Sequence, residues 1–169
     1  MNYPKGIYKI ENFLSQEEID VLLSSIEGDG FAESHPGNVT KDLNSESLEI
    51  MPLIGQRLMS YFDKAHSHIE IRKIMRLQKG QAMPIHSDGG YPDNEMSIVF
   101  GIAIYLNDNF GGGELYYPNL DIKIKPEKGS LVLHDAKLLH GVLPVTSGTR
   151  YAITTFIFGN EDTKFKYSS

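Results

Sequence analysis

One change of period constrains this chain more than any other feature. Up to about residue 67 the clearest apolar pattern is helical, whereas from His68 to Phe158 apolar residues come in short runs separated by Gly, Pro and Asn turns. Strands of that kind cannot bury their apolar faces alone, so they must close on themselves or on a second sheet. The pattern predicts an α+β domain, mostly β, built as an antiparallel sandwich or barrel with supporting N-terminal helices. At 169 residues the chain has the size of one domain. Residues 1–67 form the helical support region and 68–159 the β core of a single domain over 1–169.

The local signals fill in this outline. Gly6 to Phe13 reads as a short strand. Ser15-Gln16-Glu17-Glu18 then matches a capping box and predicts a helix to about Glu27, with Ile19, Leu22, Leu23 and Ile26 on one stripe. Gly28 to Ser47 shows no period and predicts a surface loop. A second helix fits Leu48 to about Ala65. The best strand runs from Met96 to Leu106. Its alternate positions Ser97, Val99, Gly101, Ala103 and Tyr105 are mostly small, while Ile98, Phe100, Ile102, Ile104 and Leu106 are bulky, so one face borders a cavity and the other packs a core. Further strands are predicted at Glu114 to Tyr117, Leu120 to Lys125, Ser130 to His134 and Thr149 to Phe158.

Composition narrows the chemistry. The absence of cysteine removes disulfides, thiolate metal sites and cysteine nucleophiles, so any metal must sit on nitrogen and oxygen ligands. Sixteen Lys plus Arg against 22 Asp plus Glu give a net charge of −6, which disfavours nucleic-acid backbones and anionic membranes. No stretch approaches the roughly 18 apolar residues of a membrane span, and the expectation is a cytoplasmic protein. The Gly111 to Gly113 run lacks the Lys-Ser/Thr and helix start of a phosphate loop.

His86-Ser87-Asp88 puts two metal-ligand types at i and i+2, which share one face of a strand or its end. A sandwich brings His140, 52 positions beyond Asp88, to the same place. Two histidines and one carboxylate form the facial triad suited to non-haem Fe(II), with coordination positions left open for a bidentate 2-oxo acid and dioxygen. Arg150 opens a strand on which Arg150, Ala152 and Thr154 share one face. A guanidinium facing a cavity demands an anion, and a dicarboxylate chelating iron at one end presents its other carboxylate to this arginine.

These residues resemble the 2-oxoglutarate- and Fe(II)-dependent dioxygenases, in their prolyl 4-hydroxylase-like branch. The resemblance runs from about Met75 to Gly159. It rests on His86-Ser87-Asp88, Ile104-Tyr105-Leu106-Asn107, Gly111-Gly112-Gly113-Glu114-Leu115, Lys125-Pro126-Glu127-Lys128-Gly129, His140 and Arg150-Tyr151-Ala152-Ile153-Thr154. The last run is especially similar to the hypoxia-inducible-factor prolyl hydroxylases, and collagen prolyl hydroxylases belong to the same group. The opening Ile10-Glu11-Asn12-Phe13-Leu14-Ser15 is also similar to the family's N-terminal support region.

The resemblance implies a double-stranded β-helix of the jelly-roll or cupin kind. It implies Fe(II) on His86, Asp88 and His140, and 2-oxoglutarate with its distal carboxylate on Arg150 and Tyr105, beside Thr154. Dioxygen is then the oxidant and ascorbate a reductant. Leu77 departs from the family, which usually has a tyrosine near the cosubstrate there.

The expected reaction is hydroxylation of an unactivated C–H bond, with a prolyl residue of a peptide or protein as the favoured substrate. The same chemistry on a free amino acid or small molecule is the alternative, and a catalytically inactive β-sandwich binding module is the alternative of another class. Asp88 disfavours a halogenase, in which that carboxylate position is vacant. His134-Asp135 offers a second His and carboxylate upstream of His140, but is expected to end a strand near the site. His66 and His68 make an H-x-H pair at a helix-to-strand junction and read as surface histidines rather than ligands, and His35 carries no separate argument. Gly28 to Ser47 and Gly89 to Asn94 are expected to be mobile segments that cover the site.

Overall fold

The structure is a computed structural model in which residues 3–4, 6–26, 30–35, 38–42, 49–62, 67–69, 71, 73–89, 97–160 and 162–166 are described. In chain order the elements begin with β1 (Ile7–Ile10), α1 (Gln16–Ser24), β2 (Ala32–His35), β3 (Asn38–Asp42), α2 (Ile50–Met59), β4 (Ser67–Ile69), β5 (Lys73–Gln78) and β6 (Met83–His86). They continue with β7 (Ser97–Tyr105), β8 (Gly111–Gly112), β9 (Leu115–Tyr117), a 3-10 turn (Pro118–Leu120), β10 (Ile122–Ile124), β11 (Leu131–Asp135), β12 (His140–Val142), β13 (Val145–Ser147) and β14 (Thr149–Gly159).

Helix α1 starts where the capping box predicts. The Ser15 hydroxyl accepts the Glu18 N–H at 3.2 Å, and the Glu18 carboxylate accepts the Ser15 N–H at 2.9 Å. It ends at Ser24, before Glu27, because the Ser24 and Ser25 hydroxyls donate to the carbonyls of Asp20 and Leu22 and compete with further helical pairing. Arg57 on α2 ties the two helices together. It donates to both Glu18 oxygens at 2.9 and 2.6 Å and to the Phe13 carbonyl at 2.7 Å. Those bonds hold the Glu18 carboxyl below its ordinary range. Helix α2 is shorter than the predicted Leu48 to Ala65, and residues 48 and 63–65 lie outside the described set.

The larger sheet runs β1-β11-β7-β14-β5-β3-β2, with β4 also on β14; the smaller runs β10-β9-β12-β6. On one face of the larger sheet, Ile102, Ile104, Leu106, Leu131, Leu133, Ile153 and Ile157 pack with the helices. On the other, Ala103, Tyr105, Val132 and Ala152 meet Leu115, Tyr117 and Ile124 of the smaller sheet. The alternation along β7 is therefore as expected, with bulky residues toward the helices and small ones toward the second sheet. This two-sheet arrangement is the double-stranded β-helix. No helix among the described residues is long and apolar enough to cross a membrane.

The N-terminal region differs from expectation. Within Gly28 to Ser47, read as a loop, β2 and β3 pair with each other, and β3 extends the large sheet through Thr40↔Met75. These segments lack alternation because their order comes from main-chain pairing, β3 to β5 and β2 to β3, at the sheet's end, where little apolar surface is required. Residues 28–29, 36–37 and 43–47 lie outside the described set, as do Gly90 to Asn94 and His66.

Candidate active site

Strands β6 and β12 pair antiparallel with His86 directly opposite His140, which explains how residues so far apart in sequence share one point. Asp88 follows β6 in a bend, held where the N–H groups of Asp88 and Gly89 both donate to the Ala136 carbonyl, at 2.9 and 2.8 Å. One nitrogen or oxygen of each of His86, Asp88 and His140 then lies within 4.8 Å of the others. His86 Nε2 is 3.3 Å from Asp88 Oδ1, and His140 Nε2 is 3.5 Å from Oδ2.

The second nitrogen of each ring decides what the first can do. His86 Nδ1 donates to the Pro84 carbonyl at 2.8 Å and His140 Nδ1 to the Leu138 carbonyl at 2.9 Å, since a carbonyl only accepts. In their neutral forms both rings therefore aim an Nε2 lone pair at the Asp88 carboxylate. Lone pairs facing a carboxylate repel unless a cation sits among them, so this donor set fits a divalent metal. Burial, with the neighbouring His134 adding to it, pushes His140 down to about 4. The hydrogen bond with Asp88 raises His86. Burial opposes the Asp88 charge, but hydrogen bonds from His134 and His86 hold its carboxyl well below the usual carboxylate range.

A cavity of about 320 Å³ opens from this cluster, lined by apolar residues of both sheets together with Arg150 and Thr154. Arg150 is 1% exposed at its closed end. Its Nε donates to the Gly113 carbonyl at 3.2 Å, and its guanidinium lies 5.2 Å from the Tyr105 ring centroid. Nη1 of Arg150 and the hydroxyl of Tyr105, both buried, have no hydrogen-bond partner, and among the described residues no carboxylate pairs with Arg150. Burial depresses the guanidinium below its ordinary value and raises the Tyr105 phenol, which stays an O–H donor at neutral pH. Unpartnered donors of this kind call for an anion. Leu77 lies opposite Arg150 in the β5–β14 register and is fully buried with Met75, Val142 and Val145.

Three contributors were not assigned a part in the site from sequence. Gly113 adopts φ +68, which turns its carbonyl to Arg150, and a Cβ there would come within 3.1 Å of Arg150 Cδ. Gly101 lies beneath Asp88, and a Cβ there would overlap the carboxylate and reach 2.5 Å from His134 Nε2. Tyr117 reaches from the smaller sheet, where its hydroxyl is 3.0 Å from His134 Nδ1. His134-Asp135 does end strand β11 beside the site, and His134 Nε2 is 3.1 Å from Asp88 Oδ2. The signal for Gly101 was present in the small-residue face of β7. Gly113 lay in a segment that carried the resemblance but had no role of its own there, and for Tyr117 no local signal pointed to the site.

The sequence profile of the 2OG-Fe(II) oxygenase superfamily matches residues 72–158. A PKHD-type hydroxylase of Prochlorococcus marinus is 28% identical over 137 residues, covering 75% of this chain and 60% of the relative. One from Parvibaculum lavamentivorans is 33% identical over 87 residues, covering 50% and 40%. The chain thus spans about half the length of these curated relatives. Among solved structures, the viral collagen prolyl hydroxylase of Paramecium bursaria Chlorella virus-1, in complex with 2OG, superposes with a TM-score of 0.76. It is 26% identical, with 92% of this chain and 97% of that one covered.

Proposed function

Because the chain belongs to the 2OG-Fe(II) oxygenase superfamily, we propose that it is a dioxygenase that hydroxylates an unactivated C–H bond using Fe(II), 2-oxoglutarate and dioxygen. The observation that carries the reading is one cavity with opposite needs at its two ends: lone pairs and a carboxylate that require a cation, and unpartnered donors that require an anion. A dicarboxylate with a 2-oxo group answers both at once. Bound Fe(II) with 2-oxoglutarate supplies the chemistry, oxidative decarboxylation to succinate and carbon dioxide coupled to transfer of one oxygen atom into the substrate C–H bond.

The chain's own residues prepare that chemistry. His86, Asp88 and His140 hold the metal, and the backbone carbonyls on Nδ1 keep the two imidazoles oriented. Arg150 and the Tyr105 hydroxyl hold the distal carboxylate, with Thr154 on the same wall. Met75, Ala103, Leu115, Val142 and Phe156 make the rest of the lining apolar, which excludes water and strengthens the Arg150 contact.

The substrate is a prolyl residue within a peptide or protein, hydroxylated at C4. The viral relative, a collagen prolyl hydroxylase, supports this, and so does the shape of the site. The Arg150 end is closed, whereas His86 is 41% exposed at the side chain and Pro84 lines the cavity while exposed to solvent. Substrate therefore approaches over β6 at an open rim, which accommodates a chain lying across it. The test offers proline-rich peptides and free L-proline in parallel with Fe(II), 2-oxoglutarate and ascorbate, reading succinate and product mass. A peptide should gain one oxygen, and His140→Ala should abolish the gain. Oxygen gained by free proline alone would overturn the peptidyl reading and leave the dioxygenase reading intact.

A further inference from the structure

His134 is the buried histidine that the metal assignment does not use, although it lies closer to the Asp88 carboxylate than either ligand histidine. Its side chain is 4% exposed, and its ring centroid lies 4.0 Å from that of His140, the two rings tilted by 49°. Nε2 lies 3.1 Å from Asp88 Oδ2 and Nδ1 lies 3.0 Å from the Tyr117 hydroxyl. A metal-ligating carboxylate only accepts hydrogen bonds, so Nε2 carries the proton. Nδ1 then has the lone pair, and the phenol O–H donates to it. Tyr117, itself 1% exposed, His134 and Asp88 form a chain of two hydrogen bonds running in one direction, with no polar atom of the imidazole left over.

This is the reverse of the arrangement in His86 and His140. Those rings donate Nδ1–H to backbone carbonyls and keep Nε2 as a lone pair. His134 donates from Nε2 and so has no lone pair to offer at that atom. In the β7–β11 register Gly101 stands opposite His134, and its missing side chain leaves the space in which the bond to Asp88 forms.

We infer that His134 is a positioning residue for Asp88: its Nε2–H holds Oδ2 and fixes the plane in which the carboxylate faces His86 and His140. The inference rests on His86, Asp88 and His140 being the metal ligands. Tyr117 acts one step behind, holding His134 in the tautomer that donates. His134-Asp135, which in sequence looked like a competing ligand pair, thus serves the site through its histidine.

Co(II) titration of the purified protein, followed by its visible absorption band, tests this without turnover. His134→Leu removes the donor and should weaken Co(II) binding about 10- to 100-fold, the usual cost of losing a partner behind a metal ligand. His134→Gln returns an N–H within reach of Asp88 and should recover most of the affinity and the band shape. Wild-type affinity in the folded leucine variant overturns the inference. Equal loss in the glutamine and leucine variants also overturns it, because His134 would then be a ligand. Where the leucine variant fails to fold, His134→Asn replaces it: the shorter amide faces Tyr117 and cannot reach Asp88, so Co(II) affinity equal to that of His134→Gln overturns the assignment. His140→Ala separates the two readings. If it binds Co(II) as wild type does, the metal assignment itself fails; if it loses Co(II) while His134→Leu does not, the positioning role alone fails.

Discussion

The two ends of the cavity are finished to different degrees. At the metal end the ring nitrogens turned away from the cluster have partners: His86 and His140 on carbonyls, His134 on Tyr117. At the other end Arg150 keeps one bond, to Gly113, while its Nη1 and the Tyr105 hydroxyl have none. The protein thus fixes the histidine and carboxylate cluster from within and leaves unpartnered donors at the other end. Preorganisation at the metal end sets the position of the chemistry, and desolvated donors at the closed end gain most from a charged partner.

The harshest way to break the prepared end is to fill the space beneath it. Gly101→Ala places a Cβ into the Asp88 carboxylate and against His134, so Asp88 must move. Co(II) affinity should fall by at least about 100-fold, with a stability cost of about 1–3 kcal/mol for overpacking. Gly55→Ala, where nothing lies within 4 Å, is the matched control and should leave Co(II) affinity unchanged. Isothermal titration and thermal melting check both variants. Unchanged affinity in Gly101→Ala would show that the metal end is less rigid than its hydrogen bonds imply.

At the incomplete end a deletion should show its effect only when ligand is present. Arg150→Met keeps most of the buried stem and removes a charge-assisted contact of about 1.5–3 kcal/mol. That corresponds to roughly a 10- to 150-fold rise in the 2-oxoglutarate needed. The ligand-free variant should melt no lower than wild type, because the charge it lacks had no counter-charge. Melting curves with and without 2-oxoglutarate separate these effects. A large drop in the ligand-free protein would mean that Arg150 is chiefly structural.

The same contrast explains what could be read from the sequence. His86, Asp88, His140 and Arg150 are legible because their chemistry is rare and their order and flanking segments carry information. The alternation of β7 then places Gly101, Ala103 and Tyr105 on the cavity side. Helix α1 is legible because its cap is encoded within four residues. Strands β2 and β3 are not, because Asn38–Asp42 owes its form to pairing with β5 and Ala32–His35 to pairing with β3, and neither has an apolar period of its own. The role of His134 is hidden for a related reason. Its ring is defined by Tyr117 from the other sheet and by Asp88, 46 residues away, and nothing local distinguishes a donor from a ligand.

Acid should separate the ends as well. The hydrogen bond with Asp88 holds His86 above its ordinary 6.5, so a proton competes for that nitrogen at and above this pH. Lowering the pH protonates His86 and weakens metal binding, and the decline begins above 6.5. His140, pushed down to about 4 by burial, remains neutral through this range. Arg150 keeps its charge throughout, as guanidinium groups do between about pH 5 and 8. Co(II) affinity should therefore fall steadily from pH 8 toward about 5.5, while 2-oxoglutarate titrations at saturating Co(II) stay nearly flat. Parallel loss of both would show that the anchor also titrates.

The smallest effect is expected at Tyr105, and it tests the contrast most finely. The ring is fully buried among Ala103, Leu115, Tyr117 and Ile124, all of which Tyr105→Phe leaves in contact. The hydroxyl it removes has no partner in the ligand-free protein, so its loss relieves a desolvated donor and should leave melting unchanged or slightly raised. In the proposed function, 2-oxoglutarate would bring its distal carboxylate to this hydroxyl beside Arg150. Losing a bond of about 0.5–1.5 kcal/mol raises the requirement about 2- to 13-fold, well below the effect of Arg150→Met. The two titrations and the ligand-free melting curve must be read together. A lower melting point with an unchanged 2-oxoglutarate titration would show that the hydroxyl is already bonded within the protein, and the closed end would then be as complete as the metal end.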